Sequence, residues 1–108
     1  MDVAKRKVMT GARFLSFVLD NETYCLDIKK VKELIGFSQI THIPQAPPFI
    51  KGVINLRGQI IPIIDLRVKF GLSEREYNKR TGIIVVELVY ENDIIYIGII
   101  VDTITEVL

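Results

Sequence analysis

The sequence predicts an all-β chain, and three observations carry that prediction. Tight-turn residues separate pairs of apolar arms at Asp20-Asn21, at Arg57-Gly58 and at Glu91-Asn92-Asp93. The arms are rich in β-branched residues, as in TGIIVVELVY (81–90) and IIYIGIIV (94–101). No segment sustains a helical apolar period over the ten or more residues of an ordinary helix. Three hairpins joined by short connections point to a barrel more than to a flat sheet.

Taken in order, residues 1–12 read as a basic flexible tail, with Lys5, Arg6 and Lys7 and little apolar periodicity. The run from Phe14 to Leu19 and the run ETYCLDI make the first hairpin, because Asp and Asn tolerate the left-handed backbone of a two-residue turn. The stretch IKKVKELI (28–35) has apolar residues at roughly helical spacing but is only eight residues long, so a single turn entering a strand competes with a helix. FSQITHI (37–43) alternates again, and PQAPP (44–48) then imposes a rigid loop, since proline fixes φ and lacks an N–H. The second hairpin, VINLRGQIIPIIDL (53–66), carries an arginine at its tip and Pro62 in its return strand, which predicts an edge or a bulge there. SEREYNKR (73–80) is expected to be exposed and mobile. Residues 60–64 and 94–101 are apolar at odd and even positions alike, as in strands covered on both faces. Two small barrels sharing a wall account for that, and so does a groove awaiting a partner's apolar side chains.

Composition narrows the function. The chain has 108 residues, 49% hydrophobic and 25% charged, with a net charge of +1. That describes one globular domain and gives no electrostatic reason to expect nucleic acid as partner, so a small nucleic-acid-binding β-barrel is a remote alternative. Cys25 is the only cysteine and His42 the only histidine, so there is no internal disulfide and no cysteine or histidine cluster to hold a metal. No nucleophile stands with a base and an orienting acid, and the glycines are scattered singly rather than gathered into a phosphate loop. The expectation is a protein without catalysis, cofactor or metal. The first twenty residues lack the apolar core of a signal peptide, and nothing approaches the ~20 apolar residues that span a bilayer, so a cytoplasmic location without membrane insertion is expected.

The segment FIKGVINLRGQIIPIIDLRVKFG (49–71) resembles the signature of the CheW-like domain family. FLSFVLDNETYCLDIKKVKELIGFSQITHIPQAPPFIKG before it and IGIIVDTITEVL after it are similar to the flanking parts of that family, so the resemblance runs from about Arg13 to Leu108. It implies two small SH3-like β-barrels packed around a shared apolar groove, over a domain at residues 13–108. It also implies a non-catalytic adaptor that couples the cytoplasmic tip of chemoreceptors to the regulatory domain of a CheA-type histidine kinase. A coupling protein of a related pathway, for pili or development, is the alternative within the family.

By position in the motifs, the resemblance assigns receptor binding to Ile28, Val31 and Glu33 after the first hairpin, to Asn55, Leu56 and Arg57 at the second, and to Ile100 and Val101 in the later stretch. A helical receptor tip can lay apolar side chains into a groove while a polar rim fixes its register. Arg57 suits a bidentate bond to a carboxylate, and Glu33 suits either a partner's basic group or the orientation of Arg57 itself. Core packing competes as a role for Ile28 and Val31, and a solvated turn competes for Arg57. Members of the family continue past the V-D-x-[IV] stretch with further strands. Ending at Leu108, the chain is expected to leave the barrels incomplete and to self-associate through unpaired strands.

Overall fold

A computed structural model describes residues 3–5, 13–37 and 40–107 of the chain. Among the described residues nine strands form two sheets. The strands are β1 (Val3–Lys5), β2 (Phe14–Leu19), β3 (Glu22–Asp27), β4 (Val31–Gly36), β5 (Ile50–Leu56), β6 (Gln59–Asp65), β7 (Gly82–Tyr90), β8 (Asp93–Val101) and β9 (Thr103–Val107). A 3₁₀ turn at Ile28–Lys30 leads into β4, and one helical turn, α1 (Leu66–Lys69), follows β6. The four-stranded sheet runs β1-β3-β2-β9 and the five-stranded sheet β4-β7-β8-β6-β5.

All three expected hairpins are present, each with a two-residue loop. Leu19 pairs with Glu22, Leu56 with Gln59 and Tyr90 with Asp93. Both loop residues have positive φ in every case: 53° and 66° at Asp20-Asn21, 52° and 83° at Arg57-Gly58, 49° and 66° at Glu91-Asn92. That is the type I′ pattern, whose twist matches the right-handed twist of the flanking strands. Residues 28–35 resolve as a single turn entering a strand, with the Asp27 carboxylate accepting from Lys29 N at 2.9 Å.

The cores explain the doubly apolar strands. One core packs Leu15, Phe17, Leu19 and Leu26 of the four-stranded sheet against Leu66, Ile84, Val86, Ile99 and Val101. The other lies inside the curl of the five-stranded sheet: Ile54, Ile61, Ile63, Ile83, Val85 and Ile100. Alternate residues of β7 and β8 therefore serve opposite cores, and these strands are the shared wall. The space between the sheets is filled, so the open groove lies elsewhere, at the ends of β6 and β8. Those two strands pair in parallel only from Ile63↔Gly98 to Asp65↔Ile100 and diverge before that point. Double coverage consequently fails at Ile60, Ile94 and Ile95, which are exposed. Pro62 stands at the divergence. Its β5 partner Val53 exchanges both of its backbone hydrogen bonds with Thr41, each 2.9 Å long, so the missing N–H of Pro62 faces the side where β8 has not yet joined.

Other expectations change. Within the expected tail at 1–12, Val3–Lys5 form β1 on the outer edge of β3, because that edge offers unpaired backbone groups; the rest of the segment lies outside the described residues. FSQITHI gives only the single bridge Thr41↔Val53 among its described residues. The approach there is close: a Cβ on Gly52, where φ is +146°, would lie 2.0 Å from Thr41 O, so glycine is required. SEREYNKR is exposed but strapped down. Lys51 pairs with Glu74 at 2.8 Å, Arg75 with Asp102 at 3.3 Å, and Tyr77 donates to Asp65 at 2.8 Å. Among the described residues no helix is long and apolar enough to cross a membrane.

Candidate functional site

Three of the eight expected site residues, Glu33, Leu56 and Arg57, come together. Glu33 on β4 and Arg57 at the tip of the β5–β6 hairpin form a two-point ion pair, through Arg57 Nη2 to Glu33 Oε1 and Arg57 Nη1 to Glu33 Oε2 at 3.2 Å. β4 and β5 are the two edges of the five-stranded sheet, so this pair bridges its seam with side chains. The hydrogen bond from Arg57 holds the Glu33 carboxyl below the usual glutamate range, and the carboxylate raises Arg57 in return.

Local structure puts Arg57 in an unfavourable backbone. Positive φ is uncommon for residues other than glycine, asparagine and aspartate. Asn55 offsets part of the strain by accepting from Gly58 N at 2.8 Å, which leaves Arg57 at the outermost turn position with its side chain 70% exposed.

A bulge sets the opposite rim. The β4–β7 register shifts between Val31 and Glu33, which leaves Lys32 as the extra residue. Neighbours on a regular strand point to opposite faces, yet Lys32 and Glu33 line one cleft together with Leu56, Arg57, Gln59, Ile61, Val85 and Tyr96. The Lys32 ammonium lies 5.5 Å from the centre of the Tyr96 ring, and the Tyr96 hydroxyl donates to Glu87 Oε1 at 3.3 Å. This cleft of about 190 Å³ adjoins a second of about 380 Å³, lined by Ile60, Pro62, Ile94, Ile95 and Ile97. Gln59, Ile61 and Tyr96 line both. The result is a continuous groove, charged at the Glu33–Arg57 end and apolar at the β6–β8 end.

The other expected residues lie elsewhere. Ile28 and Val31 are half-buried against the core between the sheets. Ile100 and Val101, 3% and 1% exposed, are core residues of different clusters and form no open groove wall, because alternation on a doubly covered strand buries both. Asn55 acts on its own turn.

The residue reading missed a polar node on the far side of the five-stranded sheet. The Arg67 side chain, 8% exposed, donates to Asp102 Oδ2 at 2.8 Å, to Asp20 Oδ1 at 3.2 Å and to Ser73 O at 2.8 Å. Asp65 caps α1 by accepting from Arg67 N at 2.9 Å and also receives the Tyr77 hydroxyl. Burial, followed by that carboxylate, pushes the Tyr77 phenol well above its ordinary range. Asp65 and Asp102 belong to the motif stretches IIDL and IVD, so a signal was present, but nothing in it separated an internal charge from a surface one.

The family model described as "CheW-like domain" matches residues 13–108. "Chemotaxis protein CheW" of Klebsiella aerogenes is 48% identical over 98 residues, 91% of this chain and 57% of that protein. The protein of the same name in Bacillus subtilis is 34% identical over 102 residues, 94% of this chain and 63% of the relative. "Protein PilI" of Pseudomonas aeruginosa is 27% identical over 99 residues, 92% of this chain and 53% of its own length. Among solved structures, the scaffolding protein TtCheW from Thermoanaerobacter tengcongensis superposes with a TM-score of 0.81 at 43% identity, over 90% of this chain and 64% of that one. The chain thus spans between about half and two-thirds of the length of these relatives.

Proposed function

Because this chain belongs to the CheW-like domain family, we propose that it is a non-catalytic adaptor coupling the cytoplasmic tip of a chemoreceptor to the regulatory domain of a CheA-type histidine kinase. The observation that carries the reading is the groove with one charged and one apolar end. Two partners of different chemistry fit such a groove side by side.

The receptor tip is assigned to the charged end. Its helical hairpin would lay apolar side chains over Leu56 while an acidic residue meets Arg57. Glu33 engages two of the five N–H donors of Arg57, which fixes the plane of the guanidinium and leaves the other donors for a second carboxylate. Lysine offers no such fork. The kinase domain is assigned to the apolar end, where Ile60 and Ile94 leave apolar area uncovered. Ile28 and Val31, packed on the core between the sheets, anchor the start of the strand that carries Glu33. The adaptor works in the cytoplasm in this reading, since both partner surfaces lie there.

A pull-down with a receptor cytoplasmic fragment and the isolated kinase regulatory domain tests the assignment. The protein is expected to retain both after nuclease treatment; retention of RNA alone would overturn the reading. Arg57→Glu is expected to weaken receptor binding about tenfold or more, with kinase binding and circular dichroism unchanged. Undiminished receptor binding by this variant would sink the role of Arg57. The likeness to PilI favours a second reading, coupling in a pilus-associated pathway, and preference for a receptor fragment from such a pathway would select it.

A further inference from the structure

The two ends of the groove meet at one aromatic residue. We propose that Tyr96 is a positioning residue common to both docking surfaces, so that each partner rests on the same ring. The proposal deepens the functional reading above and rests on it.

Three observations converge on this side chain. Tyr96 lines the charged cleft with Glu33 and Arg57 and also the apolar cleft with Ile60 and Ile94. Of the other two shared residues, Ile61 is buried at 1% exposure and Gln59 is a long exposed chain, so the half-buried ring supplies the body of the divide. The ring is held from several directions: the Lys32 ammonium sits 5.5 Å from its centre, its hydroxyl donates to Glu87 Oε1 at 3.3 Å, and it packs against the core cluster inside the five-stranded sheet. The ammonium comes from β4 and the carboxylate from β7.

An aromatic ring with two rotatable angles presents much surface at small entropic cost, and for that reason it often dominates interfaces. A ring that divides two clefts cannot be repositioned on one side without moving the wall of the other. Lys32 over its face and Glu87 at its hydroxyl place opposite charges against the ring, so a partner that competes for either tether reorients it. The registers of the two occupants are therefore linked through this residue.

The test is affinity measured separately for receptor fragment and kinase regulatory domain, with Arg57→Glu and Ile94→Ser as one-sided references. Tyr96→Leu keeps apolar bulk and is expected to weaken binding of both partners about tenfold. Tyr96→Phe retains the ring against Lys32 and is expected to restore most of the loss. Arg57→Glu should weaken only the receptor, and Ile94→Ser only the kinase domain. Core methyl chemical shifts of Tyr96→Leu are expected to match those of the native protein, so that the effect belongs to the interface. Native binding of both partners with Tyr96→Leu affecting only one, or neither, overturns the role of Tyr96 and leaves the functional reading standing. Failure of the native protein to bind either partner overturns both. A Tyr96→Phe loss as large as that of Tyr96→Leu also overturns the proposal, because it assigns the effect to the hydroxyl and not to the shared ring.

Discussion

At the scale of the residue, the two arginines of the second hairpin region show how position decides what a charge does. Arg57 and Arg67 are ten residues apart, and both donate to carboxylates at two points or more. Arg57 stands 70% exposed at a turn tip, whereas Arg67 is 8% exposed within a set of acceptors. Solvent screens the first pair, so its removal should barely move thermal stability. Its signature is a titration. The Glu33 carboxyl is depressed by the Arg57 hydrogen bond, so the pair's contribution is fully present above the unfolded glutamate value and fades as pH falls through the lower folded value. We expect the Glu33 carboxyl carbon, followed by NMR, to titrate below the ordinary glutamate range and to return toward it in Arg57→Gln. An unchanged midpoint would mean that the pair does not persist in solution. The family resemblance assigned an expected receptor-facing role to both Arg57 and Glu33. Their mutual pairing stood in the sequence only as one of two uses of Glu33, because spacing between separate hairpins does not fix contact.

At the scale of the element, the turns were legible and their consequences less so. A type I′ turn needs positive φ at both central positions, and Asp20-Asn21 and the glycine of Arg57-Gly58 advertise it in composition. The bulge at Lys32 left no comparable mark, since no residue type announces it, yet it places Lys32 and Glu33 on one cleft. The connection 73–80 differs from expectation for a similar reason: its polar residues suggest solvent, but Glu74, Arg75 and Tyr77 each bind a partner distant in sequence, and Ser73 O accepts from the nearby Arg67. Arg67 ties this strap, α1, the β2–β3 turn and the β8–β9 junction to one another. Arg67→Met keeps much of the volume but removes the arginine that Asp20 engages and the nearer of the two that Asp102 engages, with Arg75 remaining 3.3 Å from Asp102. We expect a loss of roughly 3 kcal/mol in urea unfolding, in line with breaking a buried ion pair from one side. A loss below about 1 kcal/mol would show that the node is solvated and dispensable.

At the scale of the whole molecule, β7 and β8 bind the two sheets into one body, since their alternate residues fill opposite cores. Truncating a residue of this wall should therefore be felt on both sides. Ile99→Ala, at a fully buried position, is expected to cost about 2–5 kcal/mol. It is also expected to lower the midpoint of a single transition seen alike by probes in either sheet. Separate transitions for the two sheets would contradict the shared wall. The sequence by itself determined the all-β class, the three hairpins, the doubly apolar strands and membership of the family, because turn chemistry, strand period and motif order are local properties of the chain. Only the tertiary structure decided which apolar residues stay open. Ile60, Ile94 and Ile95 read like Ile63, Ile99 and Ile100, but β6 and β8 part company before Ile63 and Gly98, and what no strand covers becomes surface. The same geometry placed Ile100 and Val101 in the core, paired Arg57 with Glu33, and brought Tyr96 to the junction of two clefts, since each of these depends on which strands become neighbours.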